Sequence, residues 1–269
     1  MLLGYQAVYD EDFFSAIDYA QAHRFDYVSF DLNVPRFYLD YMTTDALDRL
    51  RRYAEDHRVG LAFHAPGDNI SLYADYPAIR QGILAHMTSI ITAAERLNAR
   101  HVTIHPGTPP SLKQVKAQED AFLDEYRTYF GNILYENLLH LTAATRRVRL
   151  CVENYNFTSL TRQIVSRLLS ANAQLALTWD LAKTYRPDGQ PDKAVEAFMW
   201  QHINHVHEIH AHDFIPGFRS HQPIGDGVLD FTSYTALFTT ADIAVTIEIR
   251  PREAATESRD RLLAVLDDG

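Results

Sequence analysis

Six histidine, aspartate and glutamate residues of this chain each occur where a short apolar run ends. Short apolar runs followed by loop-forming residues are typical of the buried strands of a parallel sheet. In an open sheet the carboxyl ends of the strands spread along a line, whereas closure into a barrel brings them around one axis. The pattern therefore favours a closed barrel with a metal centre at one end. The six residues are His64, His105, Glu153, Asp180, His210 and Glu248.

Strand-like and helix-like segments alternate along the whole chain, as expected of strands joined by crossover helices. The length of 269 residues suits a (β/α)₈ barrel, which typically has about 250 residues. We predict an α/β fold, a single (β/α)₈ TIM barrel, with residues 1–269 forming one domain. An open doubly wound sheet is the alternative. The predicted strands are 2–9, 27–31, 60–64, 101–105, 149–153, 175–180, 206–210 and 244–248, and the predicted helices are 12–23, 44–57, 76–98, 119–145, 160–171, 192–200, 231–239 and 257–266.

The composition excludes several classes of protein. No apolar run approaches the roughly 20 residues that cross a bilayer, and the N-terminus lacks the pattern of a secretory signal. We therefore expect a cytoplasmic protein without a membrane partner. A net charge of -10 argues against nucleic acid as a partner, and the single Cys151 excludes internal disulfides and thiolate metal clusters. The sequence leaves open whether the chain forms a homo-oligomer.

Four of the six residues form the strongest metal-ligand set. Glu153, Asp180, His210 and Glu248 offer three carboxylates and one imidazole, which suit Mn²⁺, Zn²⁺, Co²⁺ or Mg²⁺. Such a set leaves positions for water or substrate oxygens, so it indicates a catalytic site. Each residue taken singly has another interpretation, because a carboxylate at a strand end can cap a helix and a histidine there can simply form a hydrogen bond.

Through seven short motifs that occur in the expected order, the chain resembles the superfamily of xylose isomerase-like barrels. This superfamily includes sugar-phosphate isomerases, ketose 3-epimerases and endonuclease IV-type AP endonucleases. By this resemblance the quartet binds one divalent cation. A second cation would be held by His64 and His105, with Glu153 bridging, as in the endonuclease branch. The motifs are His64-Ala-Pro66, His105-Pro-Gly107, Glu153-Asn154, Trp179-Asp180, His210-Ala-His-Asp213, His221-Gln-Pro-Ile-Gly-Asp-Gly227 and Glu248-Ile-Arg250.

The positions that would bind a third metal in the endonuclease branch differ in this chain. They read Lys183, Arg219 and His221, and two cations would repel a metal ion. We predict that the third metal site is absent. Since that metal helps to stabilise charge during phosphodiester cleavage, its loss argues against abasic-site nuclease activity.

The resemblance implies a divalent-metal-dependent isomerase or epimerase acting on a small sugar, sugar phosphate or related hydroxy-carbonyl compound. Glu153 and Glu248 would transfer the proton as an acid/base pair, through a metal-stabilised enediolate. The alternatives are an endonuclease IV-like AP endonuclease with a reduced metal site, and a dehydratase or lyase on the same scaffold.

Four residues are predicted to bind the substrate, namely Lys183, Arg250, Arg219 and His221. For Lys183 an ion pair with Asp180 is the alternative. In the strand 206–210, we expect the side chains of His207 and Glu208 to be out of register with that of His210 and to face helices or solvent.

Overall fold

The computed structural model describes residues 1–67, 69–110, 120–217, 219–239 and 243–267. Eight parallel strands form a closed barrel in the order β1-β10-β7-β6-β5-β4-β3-β2, and β8 and β9 form a separate antiparallel hairpin. The strands are β1 Leu2–Ala7, β2 Tyr27–Asp31, β3 Gly60–His64, β4 His101–Ile104, β5 Arg149–Glu153, β6 Leu175–Asp180, β7 Val206–Ala211, β8 Asp213–Ile215, β9 Arg219–Gln222 and β10 Ala244–Ile247.

Helices follow the barrel strands, which confirms the predicted (β/α)₈ barrel and rejects the open sheet. In place of the predicted helix 231–239 there is a turn of 3₁₀ helix at Phe231–Tyr234 followed by one short α-helix. The α-helices are α1 Phe13–Ala22, α2 Thr44–His57, α3 Pro77–Arg96, α4 Asp120–Ala143, α5 Ser159–Leu169, α6 Lys193–Gln201, α7 Thr235–Phe238 and α8 Arg252–Asp267.

Helix α2 illustrates how the sequence builds the outer layer. The Thr43 side chain accepts a hydrogen bond from the backbone N–H of Ala46, so the helix begins with a capped N-terminus. Leu47, Leu50 and Ala54 recur at steps of three and four residues and are buried. These apolar side chains turn one face of the helix towards the barrel core.

Polar side chains occupy the interior of this barrel, whereas aliphatic side chains fill the interior of most (β/α)₈ barrels. Thr178 and Thr246 donate hydrogen bonds of 2.9 and 2.6 Å to the carboxylate of Glu208, and Thr103 also contacts this carboxylate. Tyr27 reaches the same layer through Thr246, with 2.7 Å between their hydroxyl oxygens. All these side chains are buried. A connected hydrogen-bonded layer therefore lies inside the barrel.

A glycine makes room for this layer at β1. A Cβ atom built at Gly4 would lie 2.5 Å from the ring of Tyr27, which is closer than any non-bonded contact allows. The tyrosine can therefore cross the barrel interior only because residue 4 has no side chain.

None of the helices described here is both long and apolar enough to cross a membrane.

Candidate metal centre

The four residues of the quartet meet at the carboxyl ends of neighbouring strands. Glu153 and Asp180 are the last residues of β5 and β6, and Glu248 directly follows β10. The strand register pairs Asp180 with His210 of β7, which brings these two side chains side by side. All four are buried. The geometry thus brings together the residues that the sequence predicts as ligands.

The imidazole of His210 lies between two carboxylates. Its Nδ1 is 3.8 Å from Oε2 of Glu153 and 3.5 Å from Oε2 of Glu248. This nitrogen is buried and has no hydrogen-bond partner among the described residues. A buried nitrogen without a partner costs free energy, so the arrangement fits a metal ion between His210 and the carboxylates.

A second cluster surrounds the same oxygen of Glu153. Nε2 of His64 lies 3.1 Å from this Oε2, and Nε2 of His105 lies 2.8 Å from it. Burial opposes protonation of His64, but its hydrogen bond to Glu153 and the charge of that residue outweigh burial and raise the pKa of His64 to about 9. Burial likewise disfavours the ionised form of Glu153, yet His105 and His64 hold its pKa well below the usual range. The two groups thus favour each other's charged form.

A glycine again determines the geometry. A Cβ built at Gly67 would lie 2.2 Å from Nδ1 of His105. On its other side, the ring of His105 stacks on the ring of Tyr155, with 4.4 Å between centroids. The imidazole is thus held in a slot between residue 67 and the tyrosine, facing Glu153.

Two further histidines approach the quartet from the hairpin side. Nε2 of His212 lies 3.2 Å from Oδ2 of Asp180 and 3.7 Å from Oε2 of Glu248. His221, predicted as a substrate ligand, places its Nε2 at 3.7 Å from the same Glu248 oxygen. Burial lowers the pKa of His221 to about 4, so its imidazole is neutral at neutral pH. Its φ of 58° is left-handed, a conformation that non-glycine residues adopt at a cost.

Lys183 and Arg250 lie at the rim and contact acidic groups of the site. Nζ of Lys183 is 4.0 Å from Oδ2 of Asp180, as expected for the ion-pair alternative. The guanidinium of Arg250 donates a 2.5 Å hydrogen bond to Gln6 and lies 3.6 Å from Asp31. Gln6 in turn donates to Oε1 of Glu248 at 2.7 Å. Arg250 therefore supports Glu248 indirectly, through Gln6.

Burial disfavours the charged form of the Lys183 ammonium group. The neighbouring carboxylates of Asp180, Glu248 and Glu153 outweigh this effect and raise its pKa. The lysine thus carries a full positive charge beside the quartet at neutral pH.

The prediction for Arg219 lies outside the described residues, because the structure describes the backbone of this residue in β9 and not its side chain.

Glu208 corrects the sequence analysis. It is fully buried inside the barrel and does not face a helix or solvent. Its Oε1 lies 2.9 Å from Nε2 of His101, and its Oε2 lies 3.3 Å from Nε2 of His210. Glu208 precedes His210 by two residues in β7, so both side chains point to the same face of the strand. This two-residue spacing was the sequence signal that could have predicted the inward position of Glu208.

Asp213 organises the loop that carries His221. Its buried carboxylate accepts hydrogen bonds from four backbone N–H groups, at distances of 2.8 to 3.1 Å. A Cβ at Gly227 would lie 2.2 Å from Oδ1 of Asp213, so the motif needs glycine there. The four donors belong to Phe214, Gly225, Gly227 and Leu229.

Asn154 joins the ends of two strands of the centre. Its side-chain amide donates to the carbonyl of Asp180 at 2.9 Å and accepts from the N–H of the same residue at 2.7 Å. This reciprocal pair holds β5 and β6 in register at the site. In the Glu153-Asn154 motif, Asn154 therefore has a structural role and Glu153 is the predicted metal ligand.

A cavity of about 280 Å³ opens over the centre. Its volume lies just below the range of about 300 to 1,000 Å³ that is usual for ligand pockets, so it suits only a small molecule. Several His and carboxylate groups below it place their ligand atoms within 4.8 Å of one another, close enough to hold a metal ion. The cavity is lined by Gln6, Asp31, Asn33, His64, His105, Glu153, Tyr155, Lys183, His221, Glu248 and Arg250.

The model of the xylose isomerase-like TIM barrel family matches residues 17–265, so the chain belongs to this family. Comparison with curated proteins finds no match.

Solved structures with the same fold include an epimerase-like protein, an endonuclease and a protein with a bound zinc atom. A D-tagatose 3-epimerase-like protein is 17% identical, with a TM-score of 0.75 over 100% of this chain and 99% of its own. Endonuclease IV from Thermus thermophilus is 16% identical, with a TM-score of 0.71 and 100% of both chains covered. The IOLI protein with a bound zinc atom is 15% identical, with a TM-score of 0.68 over 100% of this chain and 99% of its own. At these identities the likeness shows the fold alone.

Proposed function

We propose that this protein is a divalent-metal-dependent isomerase or epimerase acting on a small sugar, sugar phosphate or related hydroxy-carbonyl compound. The observation that carries the proposal is the position of the buried, unpartnered Nδ1 of His210 between Glu153 and Glu248. Membership of the xylose isomerase-like family, with an epimerase-like neighbour and a zinc-bound neighbour, supports it. The small cavity above the centre fits a substrate of this size.

Glu153, Asp180, His210 and Glu248 would hold the cation. When bound, the cation would polarise the carbonyl of the substrate and so acidify the neighbouring C–H bond. The three carboxylates and one imidazole suit Mn²⁺, Zn²⁺, Co²⁺ or Mg²⁺. His64 and His105 could hold a second cation through Glu153, because their Nε2 atoms converge on one oxygen of that residue.

Proton transfer is assigned to Glu153 and Glu248. Each places a carboxylate oxygen within 3.8 Å of Nδ1 of His210, and both line the cavity, so one carboxylate can remove the proton from carbon and the other can return it. Gln6 holds Oε1 of Glu248 by a hydrogen bond, and Oε2 lies 3.5 Å from His210 and 3.7 Å from His221. Loss of the proton leaves an enediolate, and reprotonation at the same or the adjacent carbon gives epimerisation or isomerisation.

Substrate binding is assigned to Lys183, Arg250 and His221, which line the cavity together with the two glutamates. The Lys183 ammonium group would bind an oxyanion or a hydroxyl group of the substrate. His221 is neutral because of its lowered pKa, and its Nε2 has no hydrogen-bond partner among the described side chains. It can therefore accept or donate a hydrogen bond to a hydroxyl group.

The test is solvent deuterium incorporation at carbon. Ketoses, ketose phosphates and hydroxy acids would be incubated in D₂O with the protein and Mn²⁺, Co²⁺ or Mg²⁺. We expect exchange next to a carbonyl with wild type, and its loss in Glu248→Gln, whose amide retains an oxygen ligand but cannot act as a base. Glu136→Gln is the matched control, because Glu136 is a glutamate on the surface of α4 that pairs with Arg80. Absence of exchange from all substrates would reject the proposal.

An endonuclease IV-like AP endonuclease with a reduced metal site is the second candidate. The convergence of His64 and His105 on Glu153 favours it, since this cluster would supply a second metal. The charge of Lys183 beside Asp180 speaks against a third metal there. A duplex with one abasic site, incubated with the Zn²⁺-loaded protein, is expected to stay intact, and efficient nicking would reverse the ranking.

A dehydratase or lyase on the same scaffold would appear in the exchange assay as loss of water from the substrate.

A further inference from the structure

A second, larger cavity lies beside the metal centre. It measures about 810 Å³ and is formed largely by the loops that follow β5, β6 and β7. Tyr155 and Lys183 line both this groove and the 280 Å³ cavity over the centre. The two cavities are therefore neighbouring compartments that share one wall.

The walls of the groove are largely apolar and aromatic. The rings of Tyr185 and Phe214 pack against each other, with 5.2 Å between centroids. Phe157 and Ile215 also line the groove, and Ile215 keeps 39% of its surface exposed. Flat apolar surfaces with polar groups at the edges suit a ring that has apolar faces and a polar perimeter.

The groove also has polar groups along its sides. The side chains of Asn154 and Thr158 bond within the protein, whereas Asn156 and Ser220 line the groove and can donate and accept hydrogen bonds. Such groups match the hydroxyl groups of a sugar ring.

The charged side chains among the described lining residues each have a partner within the protein. Arg186 pairs with Asp188 at 3.2 Å, and Asp192 caps α6 by accepting from two backbone N–H groups. Lys183 is directed towards Asp180. A neighbouring acid balances each of the two lining cations, Arg186 and Lys183. The described part of the groove therefore has no excess of positive charge that would favour a phosphate group over an uncharged unit.

We infer that the substrate has two units, a hydroxy-carbonyl unit over the metal centre and a neutral glycosyl ring in the groove. This inference rests on the proposed function for the first unit. It narrows the substrate class from simple sugars to glycosides of a keto sugar. A substrate of this kind would occupy both cavities, whereas a simple sugar would occupy only the smaller one.

The experiment compares D-fructose with isomaltulose, a glucosyl-fructose that keeps a free ketone, by saturation-transfer NMR and by deuterium exchange on the metal-loaded protein. We expect saturation of the glucosyl protons, and isomaltulose binding at least about five-fold tighter than fructose. Ile215→Trp narrows the groove and should reduce this preference by about the same factor. Ile79→Trp is the matched control, because Ile79 is an exposed isoleucine on α3, outside the lining of the groove.

Two results separate this inference from the proposed function. Saturation of the glucosyl protons without deuterium exchange in either sugar would reject the isomerase chemistry and retain the groove as a sugar site. Exchange in both sugars without contact to the glucosyl ring, or an unchanged preference in Ile215→Trp, would reject the groove site and retain the chemistry. Failure of both sugars to bind would overturn the two-unit substrate.

Discussion

Glu208 and His210 point to the same side of β7, and Oε2 of Glu208 lies 3.3 Å from Nε2 of His210. The Nδ1 atom on the other edge of the imidazole faces the carboxylates of the centre. A carboxylate behind a metal-binding histidine fixes the orientation of the ring and increases its basicity. Glu208 thus connects the polar interior of the barrel to the candidate metal centre.

Replacing Glu208 by glutamine should weaken both the fold and the centre. The change removes a charge from a buried network that includes His101, His210 and three threonines. Removing one partner of a buried ion pair costs about 3 to 5 kcal/mol. Metal affinity should fall about 10- to 100-fold. Denaturant unfolding and competition with a metal chelator measure the two effects, and Glu257→Gln on α8 is the exposed control. An unchanged metal affinity would contradict the role given to Glu208.

Wild-type protein should contain at least one divalent cation per chain. Glu153→Gln should lower this content, because Glu153 contacts His64, His105 and His210 through one oxygen. Elemental analysis of purified protein gives the stoichiometry. Glu136→Gln, on the surface, should retain the full content. Equal metal content in wild type and Glu153→Gln would argue against the site.

Gly67→Ala should disturb the second cluster selectively. The added Cβ would lie 2.2 Å from Nδ1 of His105, so the ring must move away from its position beside Glu153. Overpacking of this kind costs about 1 to 3 kcal/mol. Titration with Zn²⁺ should show weaker binding of a second equivalent than in wild type.

Gly82→Ala is the control for this substitution. Gly82 lies within α3, and a Cβ there meets no atom within 4 Å. Alanine is favoured over glycine in a helix by about 1 kcal/mol. This variant should therefore gain stability, as measured by denaturant unfolding, and a loss similar to that of Gly67→Ala would contradict the steric explanation.

Glu95 gives the protein a stability that depends on pH. Its carboxylate accepts hydrogen bonds from the backbone N–H groups of Arg146, Arg147 and Val148, at 2.6, 2.9 and 3.0 Å. Burial raises the pKa of Glu95, but these hydrogen bonds outweigh it and lower the pKa below 4.5. Because the folded-state pKa is depressed, the stabilisation is present above the unfolded pKa and is lost as the pH falls through the folded pKa.

Glu95→Gln should therefore cost about 1.5 to 3 kcal/mol at pH 7, the value of hydrogen bonds to a charged group. The difference from wild type should shrink as the pH falls below about 4.5. Urea unfolding at several pH values tests this expectation, and a difference that is constant with pH would contradict it.

The sequence predicts the barrel and the strand ends well, because each ligand residue follows an apolar run. The predicted bounds of β3, β5 and β6 agree with the structure, whereas β1 ends at Ala7 and not at Tyr9. Where the β8–β9 hairpin lies, the sequence predicts only a loop. The carboxylate of Asp213, at the start of this hairpin, binds N–H groups up to 16 residues away, which no local pattern reveals.

The interior contacts of the candidate site could be predicted only in part. Gln6 and Glu248 are 242 residues apart and meet only because β1 pairs with β10 when the barrel closes. The placement of Glu208 was wrong for a different reason, because its spacing from His210 already indicated a shared face. The strand-end positions of His64 and His105 predict that both lie at this end of the barrel, whereas their shared contact with Glu153 was implied by the family resemblance.

The anchoring of the loop by Asp213 has a consequence for how such a protein can diversify. One carboxylate fixes the backbone at both ends of the segment between Phe214 and Leu229. Residues of this segment that do not bind Asp213, unlike Gly225 and Gly227, can change while the barrel and the quartet stay in place. His221 of this segment lines the cavity over the centre, so changes around it would alter the wall of that cavity while the predicted ligands at the barrel-strand ends keep their positions.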